Sequence, residues 1–158
     1  YGRTLAHAYD NRGRNLEAQL LAEGLGYLVA VAPNLALVQC QQAAERVARK
    51  ARVGLWQRSP VQAPKQLNSG GFALLQGRVQ HVERNGGGLW LEMGDSLVLH
   101  IAPLALGNFD LRAVQRLEGH TVEARGWVID RAKRGGLRAG QARWMLPLTD
   151  KAMLEVLP

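Results

Sequence analysis

The chain opens with Tyr1-Gly2-Arg3-Thr4-Leu5-Ala6, and the first segment is interpreted from this stretch outward. The alternating run over residues 4–9 predicts a strand that begins just after Arg3, because alternate side chains of a strand share one face. Further along, Asn15 is a residue type that caps helices, and Gly24 is one that ends them in a left-handed conformation. We therefore predict a helix between these two residues.

A second strand and a longer helix complete the predicted first segment. The apolar run 27–31 predicts the strand, and Pro33 and Asn34 close it. The helix is predicted over residues 38–53, ahead of the tripeptide Gly54-Leu55-Trp56, with an apolar stripe buried and its cations facing water. The stripe consists of Val38, Ala44, Val47, Ala48 and Ala51, and the cations are Arg46, Arg49, Lys50 and Arg52.

Taken together, these motifs resemble the second half of the staphylococcal-nuclease-like (thermonuclease) family. The resemblance rests on the opening hexapeptide, on Glu17-Ala18 through Gly24-Leu25, on the basic helix and on Gly54-Leu55-Trp56. It implies that residues 1–58 form the C-terminal half of a nuclease domain, a partial OB-type barrel with two helices. It also implies that Arg3 is the catalytic residue that contacts the phosphate under attack, a role that suits a planar, permanently charged guanidinium.

By the same resemblance, a complete protein of this family is an endonuclease that hydrolyses phosphodiester bonds of DNA or RNA with calcium. The family's metal-binding aspartates, second arginine and glutamate base precede the Tyr-Gly-Arg motif, and the 158 residues hold no counterpart of them. We therefore expect a truncated fragment that is inactive by itself, has no metal site or cofactor, and self-associates or packs on the second domain through its open barrel. Ala30 and Ala32 stand near family tyrosines of the nucleotide pocket, which favours the alternative of a non-catalytic binding module.

The composition indicates a globular chain with an affinity for polyanions. Lys and Arg number 20 against 13 Asp and Glu, a formal charge of +7, and the hydrophobic fraction of 47% is sufficient for a packed core. A single cysteine excludes an intramolecular disulfide. No apolar run approaches the roughly 20 residues that span a bilayer, so we expect no membrane segment. A soluble protein is expected, and its location stays open, with secretion or the periplasm included for an intact parent.

Residues 59–71 have the composition of a linker, with two prolines and the pair Gly70-Gly71. The domain that follows, residues 72–158, alternates in the manner of strands. Strands are predicted at residues 75–83, 89–93 and 97–101, with a bulge or bend at Gly77 and turns at residues 85–88 and 94–95.

The rest of this domain predicts one helix and two more strands. The helix is expected at residues 108–117 with Asn108 or Asp110 as its cap, and the strands at 121–129 and 142–148, with a short helix from Thr149. This is the element order of an OB-fold, a small Greek-key barrel that binds oligonucleotides and oligosaccharides. The predicted fold class is therefore α+β, mainly β: a partial nuclease-like OB barrel with two helices, then a second small five-stranded OB-like barrel.

The second domain supplies the candidate nucleic-acid-binding residues. Trp90 and Trp127 lie opposite the apolar faces of their strands, where exposed rings can stack on bases, and Arg125 shares the face of Trp127. The glycine-rich loop between the last two strands adds Arg131, Lys133, Arg134 and Arg138 for phosphate contact. The predicted partner is DNA or RNA. Two alternatives stay open: the tryptophans plug the barrel, or the domain serves protein interaction or oligomerisation.

Overall fold

The computed structural model of the chain describes residue 2 and residues 4–158, and it divides into two compact units. Unit 1 comprises the described part of Tyr1–Leu28 together with Asn34–Pro60, and unit 2 comprises Val29–Pro33 together with Val61–Pro158. Helices dominate the first and strands the second, so the chain has the predicted mixed α+β class. None of the described helices is both long enough and apolar enough to cross a membrane.

Unit 1 is built on two α-helices and a short 3-10 turn. Helix α1 is Leu16–Ala22, α2 is Val38–Ala51, and the turn is Gly54–Gln57. Asn15 caps α1, because its Oδ1 accepts a hydrogen bond of 2.9 Å from the Ala18 N–H. Both predicted helices are confirmed, with ends close to those predicted.

The two strands predicted for the first segment, at residues 4–9 and 27–31, are wrong. Among the described residues of these segments, the β contact that forms is an isolated bridge between Tyr9 and Asn15. Alternation alone does not make a strand, since its backbone also needs a partner that completes the ladder, and neither segment has one. Residues 29–33 belong instead to unit 2, where Ala30 is buried and the Ala32 N–H donates to Thr149 Oγ1 at 3.4 Å.

The buried side of α2 also differs from the predicted stripe. Val38 and Ala48 are buried as predicted, but Val47 is 60% exposed and Glu45 is buried in its place. Glu45 Oε2 accepts a hydrogen bond of 2.6 Å from the Leu28 N–H, which offsets part of the cost of burying a carboxylate. The hydrophobic pattern missed this side of the helix because a polar group lies on it.

The ends of α1 and α2 meet through glycine backbone. The Leu55 N–H donates to the Gly24 carbonyl at 2.8 Å, and Gly24 and Gly54 have φ of 70° and 56°. A Cβ on Gly24 would collide with the Val53 carbonyl, and one on Gly54 would collide with the Gly24 carbonyl. One close approach of backbone therefore requires glycine in both motifs.

Strands account for most of the regular structure of unit 2. They are β1 (Val61–Gln62), β2 (Gly71–Arg78), β3 (His81–Asn85), β4 (Gly88–Glu92), β5 (Leu97–Ile101), β6 (Thr121–Asp130), β7 (Trp144–Pro147) and β8 (Leu154–Val156). Their order in the sheet is β1-β2-β6-β7-β5-β4-β3, and β8 also pairs with β6. A short helix, α3 (Leu111–Gln115), joins β5 to β6 and is capped by Asp110, one of the two predicted caps.

One bent strand closes this order into a barrel. The predicted first strand, residues 75–83, covers the end of β2 and the start of β3, which are separated at Val79 and Gln80. Strand β2 pairs with β6 and β3 pairs with β4, so the chain itself joins β2, near one end of the order, to β3 at the other end. Elsewhere β5 pairs in parallel with β7, and β7 pairs with β6. This is the strand order of an OB-like barrel, as predicted.

Alternation along the strands fills the interior of this barrel. The inward positions predicted for β4, β5 and β7 are buried, because side chains two residues apart point to one face. The inward faces predicted for these strands are therefore confirmed, and Val98 on the opposite face of β5 is buried as well. The buried inward residues of the three strands and their flanks are Leu89, Leu91, Met93, Leu97, Leu99, Ile101, Trp144, Leu146 and Leu148.

Two details of unit 2 correct the predictions. Thr149 does not begin a helix: a 3-10 turn at Lys151–Met153 leads into β8, because β6 offers backbone groups with which that segment pairs. Gly77 does not bulge, since it pairs regularly with Val122. Its missing side chain instead leaves room for the side chain of Pro64, which would lie 3.2 Å from a Cβ.

Candidate functional site

A groove of about 460 Å³ runs along the outer face of β3, β4 and β5, beside the loop that joins β6 to β7. The strands contribute Glu83, Asn85, Trp90 and Glu92, and the loop contributes Arg131. We call this cavity the barrel groove and residues 131–143 the basic loop. The groove therefore contains one aromatic ring, one cation and two carboxylates.

The indole of Trp90 is held in a fixed orientation in this groove. Its ring stacks on His100, the opposite residue of β5, with centroids 3.8 Å apart and planes inclined by 18°. Its Nε1 donates to Asn85 Oδ1 at 3.0 Å, and His100 Nε2 lies 2.8 Å from the Gly87 carbonyl oxygen, to which it donates in the matching tautomer. The half-buried Trp90 also lines the groove, so it is a platform whose orientation is set before any ligand arrives.

Asn85 connects the turn, the tryptophan and one carboxylate. Besides the indole N–H, its Oδ1 accepts the Gly87 N–H at 2.8 Å. Its Nδ2 donates to Glu83 Oε1 at 2.7 Å. A single amide thereby orients two groups of the groove at once.

Arg131 brings a positive charge close to the platform. Its guanidinium carbon lies 6.0 Å from the centroid of the Trp90 ring, at the limit of a cation–π contact. Burial lowers the pKa of Arg131, although arginine stays protonated throughout the physiological range. Its backbone N–H donates to the Arg143 carbonyl at 2.9 Å, which ties the start of the basic loop to its end.

An ion pair fixes the base of the basic loop. Arg143 Nε and Nη2 donate to the two oxygens of Asp130 at 3.1 and 2.9 Å. These hydrogen bonds hold the pKa of Asp130 below its ordinary value and raise the pKa of Arg143. The Arg143 N–H also donates to Ser96 Oγ at 2.7 Å, so the loop is attached to the turn before β5.

The tip of the basic loop carries the remaining predicted cations. Lys133, Arg134 and Arg138 are exposed, and none of them forms an ion pair with the residues that the structure describes. Gly135, Gly136 and Gly140 all have positive φ, the conformation that glycine adopts at least cost. These three charges are therefore available to a phosphate backbone.

The structure brings together only some of the predicted site residues. Trp90 and Arg131 share the barrel groove, with the basic loop beside them. Trp127 is 50% exposed, but it lies on β6 against Phe72 of β2, with centroids 5.2 Å apart. Arg125 is buried on the same strand, 3.3 Å from Glu123 Oε1, and this position gives no support to a phosphate contact. Arg3 lies outside the described residues.

The sequence-based prediction missed the carboxylates and amide of the groove. Glu83, Asn85 and Glu92 reach it because β3 and β4 pair across the turn at Gly86 and Gly87, in a register that sets Glu83 opposite Trp90. The signal was present, because a two-residue hairpin turn fixes this register. Counting outward from it would have identified these neighbours.

A calcium site does not fit the residues that the structure describes. Across residue 2 and residues 4–158, His, Cys, Asp and Glu form no cluster of three or more that could hold a metal ion. Calcium prefers six to eight oxygen ligands, several of them carboxylates. We therefore derive no chemical step through calcium for this chain.

Comparison with known proteins finds a match for the first segment. Residues 1–58 match the family model of the staphylococcal nuclease homologues, which confirms the resemblance found in the motifs. The match ends before the first strand of unit 2, so it assigns no family to the OB-like barrel. No curated protein matches the chain.

Proposed function

We propose that this chain binds single-stranded nucleic acid. The barrel groove would hold the nucleic-acid strand, and it belongs to a unit that follows a nuclease-like segment in the sequence. The observation that carries the proposal is the fixed ring of Trp90, set in a groove beside the basic loop. OB-folds bind oligonucleotides on this face, across the second and third barrel strands and the loop between the last two. Here those elements are β4, β5 and the basic loop.

Both base stacking and electrostatic attraction would contribute to the binding affinity. A base stacked on an aromatic platform contributes about 1–3 kcal/mol without regard to sequence. The exposed Lys133, Arg134 and Arg138 would attract the phosphates and release their counterions, which makes affinity fall with added salt. The formal charge of +7 supports the same partner.

The nuclease-like segment supports a broader proposal for a longer protein. If such a protein supplies the carboxylates that the family uses, it would hydrolyse DNA or RNA, with Arg3 stabilising charge on the phosphate. The position of Ala30 favours the non-catalytic alternative, because it is buried within unit 2. A nuclease assay of the longer protein with calcium, and with an Arg3→Lys variant, decides between the two.

The test of binding measures the anisotropy of a fluorescent single-stranded oligonucleotide of mixed sequence as protein is added. Removing the platform with Trp90→Ala should weaken binding about fivefold to 150-fold, the equivalent of the 1–3 kcal/mol expected for one stacked base. Trp127→Ala removes an exposed tryptophan of similar size from β6, and we expect it to change the affinity less than about twofold. Circular dichroism of both variants verifies that they fold.

Several outcomes would contradict the proposal. Affinity that is unchanged by Trp90→Ala, or that does not fall as salt is raised, would remove the groove from consideration. A loss confined to Trp127→Ala would move the site to the β2–β6 face. Absence of any nucleic-acid binding, together with a size that grows with protein concentration, would favour an oligomerisation module.

A further inference from the structure

The two sides of the barrel groove carry opposite charge. Glu83 and Glu92 lie on the strand side, and Arg131 lies on the loop side, followed by the exposed cations of the loop tip. Within the part of the chain that the structure describes, Glu92 forms no ion pair or hydrogen bond through its carboxylate. A nucleic-acid strand in this groove would therefore turn its phosphates to the loop and its bases to the carboxylates.

The carboxylates stand where the edge of a stacked base would lie. Glu83 is directly opposite Trp90 across the β3–β4 pair, and Glu92 is the next residue on the same face of β4. Directly opposite residues have Cβ atoms about 5 Å apart, and residues two apart on a strand are separated by about 7 Å. A base that covers the Trp90 ring thus presents its hydrogen-bonding edge to one of these side chains.

The chemistry of that edge selects among bases. An ionised carboxylate only accepts hydrogen bonds, so it pairs with an amino group, as in the contact of Glu or Asp with the N4 amino group of cytosine. Uracil and thymine present a carbonyl oxygen at that position, and their one donor on this edge, N3–H, lies between two carbonyl oxygens, which a carboxylate repels. Asn85 occupies Glu83 Oε1, and Oε2 accepts no hydrogen bond from the residues that the structure describes.

Resting on the proposed function, we propose that the barrel groove distinguishes bases by their amino groups and prefers cytosine to uracil and thymine. Glu83 and Glu92 are the residues that determine this specificity, and Asn85 is a positioning residue that orients Glu83. Stacking strength does not account for the preference, because cytosine and uracil are pyrimidines of nearly equal size that differ at the 4-position and in the proton on N3.

The test compares oligodeoxycytidylate with oligodeoxyuridylate of equal length, at neutral pH and fixed salt, by fluorescence anisotropy. The unmodified chain should bind the cytosine strand at least about fivefold more tightly, the lower end of what one good base contact discriminates. The double variant Glu83→Gln with Glu92→Gln should reduce this ratio to within about twofold, because an amide both donates and accepts. Glu155→Gln, which removes one carboxylate charge on exposed β8, should leave the ratio intact.

A purely electrostatic role of the two glutamates predicts a different result. Removing their charge would then strengthen binding of both strands equally and leave the ratio unchanged, which would overturn the inference. Equal binding of the two strands by the unmodified chain would overturn it as well. If Trp90→Ala still weakens both strands, the proposed function stands without the base preference. If neither strand binds, both proposals fail.

Discussion

The internal contacts that stabilise unit 1 differ from those that stabilise unit 2. In unit 1 the helix ends meet at one backbone contact, Leu55 to Gly24, with Leu21, Val38, Ala48 and Trp56 buried around the helices. In unit 2 a closed barrel buries side chains along β2, β4, β5, β6 and β7, and no single contact carries the fold. The contrast teaches that a short motif can mark a local contact, whereas a barrel is specified by a pattern spread over its whole length.

The largest loss of stability is expected from substituting a glycine of the barrel. This substitution tests whether unit 2 tolerates one local distortion of its backbone. Gly88 has φ of 112°, and a Cβ there would collide with the Ile101 carbonyl. Gly88→Ala should therefore lower the free energy of unfolding of unit 2 by more than about 3 kcal/mol, through strained backbone and a displaced β5. Urea denaturation followed by tryptophan fluorescence measures it.

Gly86→Ala is the matched control for this variant. The residue lies in the same turn, and a Cβ on it would meet nothing within 4 Å. We expect a change within about 0.5 kcal/mol, as for an ordinary surface substitution. Equal losses for the two variants would mean that the close approach of Gly88 to β5 does not matter, and the barrel would tolerate a shift at this point.

The second test breaks the backbone contact between Gly24 and Leu55 in unit 1. Gly54→Ala places a methyl group against the Gly24 carbonyl, but alanine can adopt its φ of 56° for about 1–2 kcal/mol. We expect a total loss of about 2–3 kcal/mol, less than in the barrel variant. Hydrogen exchange read by mass spectrometry should show faster exchange in α1 and α2 with unchanged exchange in β4 and β5.

Gly26→Ala serves as the control, because a Cβ there would meet nothing within 4 Å. Its exchange should match that of the unmodified chain in both units. If Gly54→Ala accelerates exchange equally in the helices and in the barrel, the two units unfold as one body. The contrast between a local contact and a distributed core would then not describe how the chain unfolds.

The smallest effect concerns the ion pair at the base of the basic loop. The pKa of Asp130 is lowered by hydrogen bonds from Arg143, so the folded state favours the ionised carboxylate. Its stabilisation is complete above the unfolded pKa of about 4 and is lost as the pH falls through the lower folded value. Asp130→Asn should thus destabilise unit 2 at pH 7, and the difference from the unmodified chain should vanish in acid.

Urea midpoints measured from neutral to acidic pH follow this change. Asp95→Asn alters an exposed carboxylate in the turn before β5 and should produce no such pH-dependent difference. A loss for Asp130→Asn that is as large in acid as at neutral pH would show that the geometry of the side chain matters and its charge does not.

Sequence patterns were informative where one local rule decides the structure. The inward faces of β4 and β5 follow from a period of two, and the start of α1 follows from the capping chemistry of Asn15. The apolar stripe predicted for α2 is only partly correct. Glu45 lies on the buried side of the helix, where its carboxylate accepts a hydrogen bond from the backbone of Leu28. A hydrophobic pattern has no means of locating such a polar anchor.

The features that could not be predicted depend on pairing between segments that are distant in the sequence. The segment 4–9 has the alternation of a strand. Whether it forms one depends on a pairing partner, which no local pattern reveals. The candidate site was predicted in part: Trp90 and the basic loop were identified as surface features. Their convergence with Glu83 required the register of β3 on β4. Trp127 satisfied the same local rule as Trp90 but lies on the β2–β6 face.

The parallel pairing of β5 with β7 has a consequence for biosynthesis. Strands β3, β4 and β5 can pair as hairpins while they emerge from the ribosome, since their partners are close in sequence. Neither the edge of β5 nor the edge of β2 can be covered until β6 and then Trp144–Pro147 have been synthesised. The nascent domain therefore carries exposed strand edges for most of its translation, and this is the interval in which a chaperone would protect it from aggregation.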